Sequence, residues 1–170
     1  MPQRFTARAL TPVLALIATV STASAAETDI TIGMQLEPPH LDPTSAAAGA
    51  IDNVVYSNIF EGLTRFMGDG SVVPGLAKSW DISDDGLSYT FHLQGDVRFH
   101  DGSAMDAADV KFSLDRARAE DSTNAQKALF TGIADVAVID PLTVVLTLEA
   151  PNGNMLFNLA WGDAVIVASE

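Results

Sequence analysis

Cysteine is absent from all 170 residues. No disulfide framework can hold such a chain, so its stability has to come from a packed core. Positive charge is scarce as well: nine Lys and Arg stand against 22 Asp and Glu, a net charge of −13. A surface of that sign repels phosphate backbones and anionic lipid, which argues against nucleic acid and membrane surfaces as partners. It also keeps an exported protein soluble. Histidine occurs only three times. The one strongly apolar run, residues 10–20, is about half the roughly 20 residues that a bilayer-spanning helix needs.

That run belongs to an expected signal peptide covering residues 1–26. Arg4 and Arg8 precede it, no acid occurs before Glu27, and the small-residue stretch STASAA closes it. This is the three-part order of a secretory signal. Cleavage is expected after Ala26, with Ala25 as the alternative, and no cysteine follows to carry a lipid anchor. About 144 residues would remain, enough for one ordinary domain. The loss takes two basic residues and no acidic ones, leaving 7 − 22 = −15.

Along the mature part, TDITIGMQ (28–35) alternates as a short strand with Ile30, Ile32 and Met34 on one face. Three prolines in LEPPHLDPTS then enforce an extended crossing. Residues 46–63 carry helical spacing through Ile51, Val54, Val55 and Ile59, with Gly62 as the expected stop. A turn of helix is expected in 71–80, entered through Pro74-Gly75, with Trp80 as a core anchor. Tyr89, Phe91 and Leu93 share a strand face. A helix is expected over 107–119 with Val110, Leu114 and Ala117 inward, and another over about 123–131. Residues 133–150 read as a hairpin turning at Asp140-Pro141, with Val144, Leu146 and Leu148 on one face. A short helix near 153–160 and an apolar strand, AVIVA (164–168), complete the pattern. Apolar on both faces, that strand suits the middle of a parallel sheet.

FHLQGDVRFHDGSAMDAADV (91–110) holds two of the three histidines and four aspartates, so it is the place to look for a metal or catalytic site. With Gln94-Gly95-Asp96 as a hairpin turn, Phe91 would face Phe99, His92 would face Arg98, and Thr90 would face His100. The histidines would then lie diagonally, on the order of 7–8 Å apart. Arg98 across from His92 opposes a cation, and the spacing supplies no third ligand. Asp101-Gly102 suits a sharp turn. Asp106 suits an N-cap, with Asp109 completing a capping box. The stretch therefore reads as architecture. A secreted metal-dependent hydrolase using His100 and Asp101 remains the alternative of a different class.

The same residues carry a likeness. GLAKSWDISDDGLSYTFHLQGDVRFHDGSAMDAADVKFSLDRA (75–117), with LDP (41–43) and NIFEGLTRF (58–66), resembles the signature region of the family 5 extracellular solute-binding proteins. These are the peptide, oligopeptide and nickel receptors of ABC importers. Asp106 and Ala108 depart from the usual Thr and Glu without disturbing the helix start. The resemblance implies an α/β fold of the periplasmic binding protein-like type II kind, N-terminal part only. Residues 27–43 and 164–170 would begin lobe I, residues 44–163 would form the extra domain beside it, and the second lobe would be absent.

The function it implies is capture of a peptide-like small solute in the periplasm and delivery to a membrane-embedded ABC permease. The receptor would be monomeric, without cofactor and without chemistry on the ligand. A nickel or metal-chelate receptor of the same fold is the alternative, and an inert fragment is another. The cleft wall implied on this chain comprises Leu36, Glu37, Pro38 and His40, then Trp161 and Asp163 on the return crossing, and the segment around Gln126. Each has a plainer reading. Glu37 could be a solvated charge, His40 could pack on its prolines, Trp161 could be a core or boundary residue, and Asp163 could bridge the crossings.

Overall fold

The computed structural model describes residues 29–45 and 49–169. The expected signal peptide lies outside the described residues. The chain divides into two units, Met1–Met34 and Gln35–Glu170. In the first, residues 29–34 are exposed and form no strand, contrary to the alternation of Ile30, Ile32 and Met34. A strand requires a hydrogen-bonded neighbour, and among the described residues none pairs with these.

The second unit is organised by a four-stranded antiparallel sheet in the order β3-β4-β6-β5: β3 is Ala77–Ile82, β4 Ser88–Leu93, β5 Ile133–Asp140 and β6 Thr143–Leu148. Alternation decides its inner face. Tyr89, Phe91 and Leu93 of β4 are buried, as are Val144, Leu146 and Leu148 of β6. In register, Phe91 pairs Val144 and Tyr89 pairs Leu146. The β5–β6 turn is the expected one, its Leu142 N–H held by Asp140 Oδ1 at 2.8 Å.

The expected pairing of 91–93 with 97–99 does not form. β3 and β6 flank β4 instead, with Trp80 opposite Phe91 and His92 opposite both Ser79 and Thr143. Val97 and Phe99 join the core from a loop. The expected helical turn in 71–80 is also replaced by strand. β1 (Thr64–Phe66) and β2 (Val72–Pro74) form a small hairpin, turning through Gly70 at φ 84°, before β3 begins. Val72 and Val73 are β-branched, which suits a pleated ribbon better than a helix.

α1 is Gly49–Val55, shorter than the expected 46–63, and it ends as Ser57 turns into the left-handed region at φ 56°. Gly62 is no helix stop. A Cβ there would stand 2.8 Å from the carbonyl oxygen of Leu159 and 3.3 Å from that of Thr64, so the position is glycine because three backbone segments converge on it. In place of the helix expected over 123–131, only Lys127–Leu129 coils, as one 3-10 turn. α3 is Met155–Asn158, within the expected 153–160.

α2, Ala107–Arg118, is the helix expected from the sequence. Asp106 caps it, accepting the Ala108 N–H at 2.7 Å, and Asp109 returns the box by accepting the Asp106 N–H at 2.9 Å. Its Val110, Leu114 and Ala117 face the sheet's inner side in one core. Its basic residues tie it to edge strand β5: Lys111 Nζ donates to Val136 O at 2.9 Å, and Arg118 Nη1 donates to Ile133 O at 2.8 Å.

Ala164, Val165 and Ile166 are buried as their composition predicts and Val167 and Ala168 are half-buried, but the paired parallel strand is not there. Ala164 ends a 3-10 turn, Gly162–Ala164, Val165 makes one antiparallel bridge to Gly62, and residues 166–168 belong to no strand. A substitution tests the packing. Gly62→Ala is expected to lose about 1–3 kcal/mol in urea unfolding, whereas Gly68→Ala, which meets nothing within 4 Å, should change stability little. Equal midpoints for the two variants would contradict the close-packed crossing.

Candidate functional site

The segment 165–169 lacks strand partners on most of its length, and side chains of α2 satisfy part of its backbone. Val167 N–H donates to Ser113 Oγ at 2.9 Å, and Ser169 N–H donates to Asp109 Oδ1 at 2.9 Å. Ile166 N–H reaches Glu61 O at 2.9 Å. The segment passes over α2 rather than into a sheet, and space is left on either side of it.

On one side lies a cavity of about 200 Å³, bounded by Thr44, by Ser113, Leu114 and Arg116 of α2, by the loop 121–124, and by Asp163 to Val165. The loop is shaped by its own polar residues. Asn124 N–H donates to Ser122 Oγ at 3.2 Å, and Gln126 N–H donates to Asn124 Oδ1 at 2.9 Å. Asn124 Nδ2 then donates to the Asp163 carbonyl at 2.8 Å. A single buried amide therefore fastens the loop to the return crossing.

Asp163 is only 5 % exposed, and no hydrogen-bond donor from another described residue reaches its carboxylate. Burial, and then the charge of Asp52, push its pKa up to about 6. Burial raises the Asp52 carboxyl as well. Asp52 sits so tightly against the crossing that a Cβ on Gly162 would collide with its carboxylate.

Across the segment, a second cavity of about 170 Å³ is lined by Glu61, Arg98, Phe99, His100, Met105 and Ile166 among others. Here the histidine question is settled for the described residues. His92 Nε2 contacts Asp81 Oδ2 at 2.9 Å on the sheet, apart from His100. Asp101 accepts from Ser103 N–H at 2.8 Å and Ser103 Oγ at 2.6 Å, which holds its carboxyl below the usual range. Gly102, at φ 91°, makes the expected turn. Among the described residues no three His, Cys, Asp or Glu side chains converge on a metal position.

Of the residues singled out in the sequence, Asp163 lines the first cavity. Gln126 is half-buried at the end of the loop that Asn124 organises. Leu36, Glu37 and His40 are exposed and Pro38 is half-buried. Thr44, beyond that segment, is the member of its neighbourhood that reaches the cavity. Trp161 stands in an aromatic cluster, its ring 6.3 Å from Phe66 and 6.1 Å from Phe157. Thr44, Ser113, Arg116 and Asn124 were missed. The signal for the last was the polar run Asp121-Ser122-Thr123-Asn124 after a helix, a composition that makes side-chain-to-backbone turns.

The cavity lies beside a crossing segment on an α/β frame, and comparison with known proteins gives the class to which this frame belongs. Residues 71–168 match the middle part of the bacterial extracellular solute-binding proteins, family 5. The chain belongs to that family, and its architecture is that of part of a type II periplasmic binding protein. It is 41% identical over 128 residues to the glutathione-binding protein GsiB of Pectobacterium atrosepticum, covering 75% of this chain and 25% of that one. Di/tripeptide-binding protein 1 of Pseudomonas aeruginosa is 32% identical over 151 residues, with 78% of this chain and 28% of that one covered. The periplasmic binding protein AgaA of A. tumefaciens R10, solved with agropinic acid, superposes with a TM-score of 0.72 at 34% identity, over 77% of this chain and 26% of that one. The chain thus spans about a quarter of the length of these relatives.

The raised Asp163 carboxyl has a consequence for stability. Its folded pKa of about 6 lies above the unfolded value, so the folded state holds the proton more tightly. The stability it contributes is present at low pH and is lost as pH rises through about 6. Asp163→Asn, unable to ionise, should therefore gain on the parent chain in urea midpoint between pH 4.5 and pH 7.5. A gap that does not change over that window would show Asp163 to be solvated like an ordinary carboxylate.

Proposed function

We propose that this chain forms part of the solute cleft of a periplasmic receptor, which captures a peptide-like solute and delivers it to a membrane-embedded ABC permease. The observation that carries this reading is the polar cavity along the return crossing, in a chain belonging to a solute-binding family. Relatives named for glutathione and for di- and tripeptides favour a peptide-like solute over a metal chelate. Capture needs no reaction on the solute, and the described residues offer groups suited to holding one. Thr44, Ser122 and Thr123 line the cavity with hydroxyls that both donate and accept, beside a buried carboxylate. Extended peptides are commonly held by such directional contacts, with tolerant side-chain pockets around them.

In this reading residues 27–43 and 164–170 belong to lobe I, and residues 44–163 to the domain beside it. Leu36, Glu37, Pro38 and His40 form the outer wall of the cleft, Gln126 and Trp161 stand at its margin, and Asp163 lies within it. The receptor acts as a monomer in the periplasm after removal of residues 1–26.

Native mass spectrometry of the protein exported from its own host, taken without refolding, tests the proposal. A spread of added masses matching small peptides is the expected result. A single metal-containing mass would replace it with the chelate receptor, and a uniformly ligand-free protein would contradict capture.

A further inference from the structure

The connection from β6 to α3 contains the pair Asn152-Gly153. Six asparagines occur in the chain, and this is the one followed by glycine. Deamidation begins when the main-chain nitrogen of the next residue attacks the asparagine Cγ, and a Cβ on that next residue hinders the approach. Glycine has none.

The local geometry leaves the reacting groups free. Gly153 is exposed, a Cβ there would meet nothing within 4 Å, and among the described residues its N–H donates to no acceptor. Asn152 Oδ1 accepts the Asn154 N–H at 3.0 Å. A donor on that oxygen stabilises the negative charge that develops there when Cγ is attacked.

Three aspartates also precede glycine, and each is guarded. The N–H groups of Gly70, Gly86 and Gly102 donate to the carbonyls of Met67, Ser83 and Phe99, at 2.8, 2.8 and 2.9 Å. Asp69, Asp85 and Asp101 accept from the hydroxyls of Ser71, Ser83 and Ser103, which hold their carboxyls below the usual range. A carboxylate that stays ionised is a poor electrophile.

We infer that Asn152 is a deamidation site of the folded chain, and that its isoaspartyl product releases α3 from β4. Gly153 N attacks Asn152 Cγ, and the new C–N bond closes a succinimide ring. The side-chain nitrogen leaves as ammonia, taking the proton of the Gly153 N–H. Water then opens the ring. Opening at Cγ gives aspartate; opening at the main-chain carbonyl gives isoaspartate, in which the chain runs on through Cβ and Cγ. That main-chain carbonyl is a structural acceptor: it takes the hydroxyl of buried Tyr89 at 3.0 Å and the Met155 N–H at 3.1 Å. In isoaspartate it becomes a carboxylate on a branch, displaced from the path that joins β4 to α3. The inference stands apart from what the cavities bind.

Incubation of the full chain at pH 8, followed by peptide mapping with fragmentation that distinguishes isoaspartate from aspartate, tests both parts. Asn152 is expected to convert at least tenfold faster than Asn53, Asn58, Asn124, Asn154 or Asn158, while Asp69, Asp85 and Asp101 stay unisomerised. This comparison uses the parent chain alone, so a variant that folds poorly does not spoil it. Gly153→Ala should slow the conversion at least tenfold. The urea midpoint of the aged parent should fall in proportion to its isoaspartate content, and that of aged Gly153→Ala should hold. Conversion at Asn152 no faster than at the other asparagines, or undiminished in Gly153→Ala, would overturn the site. Isoaspartate accumulating at Asn152 with an unchanged midpoint would overturn the release of α3.

Discussion

Helix α2 is the piece on which everything else in the second unit depends. One face supplies Val110, Leu114 and Ala117 to the sheet's inner side. Its long cationic side chains grip the carbonyls of β5, the strand at the sheet edge. Its short polar side chains, Asp109 and Ser113, take the amides of the return crossing. Without disulfides, the second unit relies on non-covalent attachments such as these three. Asp109 shows how closely local and long-range roles are joined: one carboxylate oxygen completes the capping box, and the other accepts from Ser169, 60 residues away.

The same arrangement explains why the cavity exists. A segment paired into a sheet on both sides would leave little room beside it. One held at intervals by α2 side chains leaves gaps, and the larger gap collects polar groups that sheet formation would have excluded. Asp163 is the extreme case. Burial, and then the charge of Asp52, push its pKa up to about 6.

What could be read from the sequence was local. The capping box at Asp106, the turn at Asp140-Pro141 and the alternation through Tyr89, Phe91 and Leu93 depend on neighbours a few residues away, and all three are present in the structure. The partner of β4 was not local. Alternation states which side chains face inward but not which strands lie alongside, and Thr143 to Thr147 took the place assigned to Val97 and Phe99. The apolar run 164–168 shows the same limit, for burial followed from composition while the mode of backbone satisfaction did not. Within the candidate site, Asp163 was named through the family resemblance, as part of the return crossing. Asn124 and Ser113 were not, because their partners lie 39 and 54 residues distant.

Amide hydrogen exchange on Ser113→Ala would test the central role of α2 most directly. The account predicts that protection at Val167, whose N–H donates to Ser113 Oγ, falls sharply in the variant. Protection along β4 and β6 should stay at the parent level, since their ladder does not involve Ser113. Undiminished protection at Val167 would mean that the crossing is held by something other than α2, and would contradict the account.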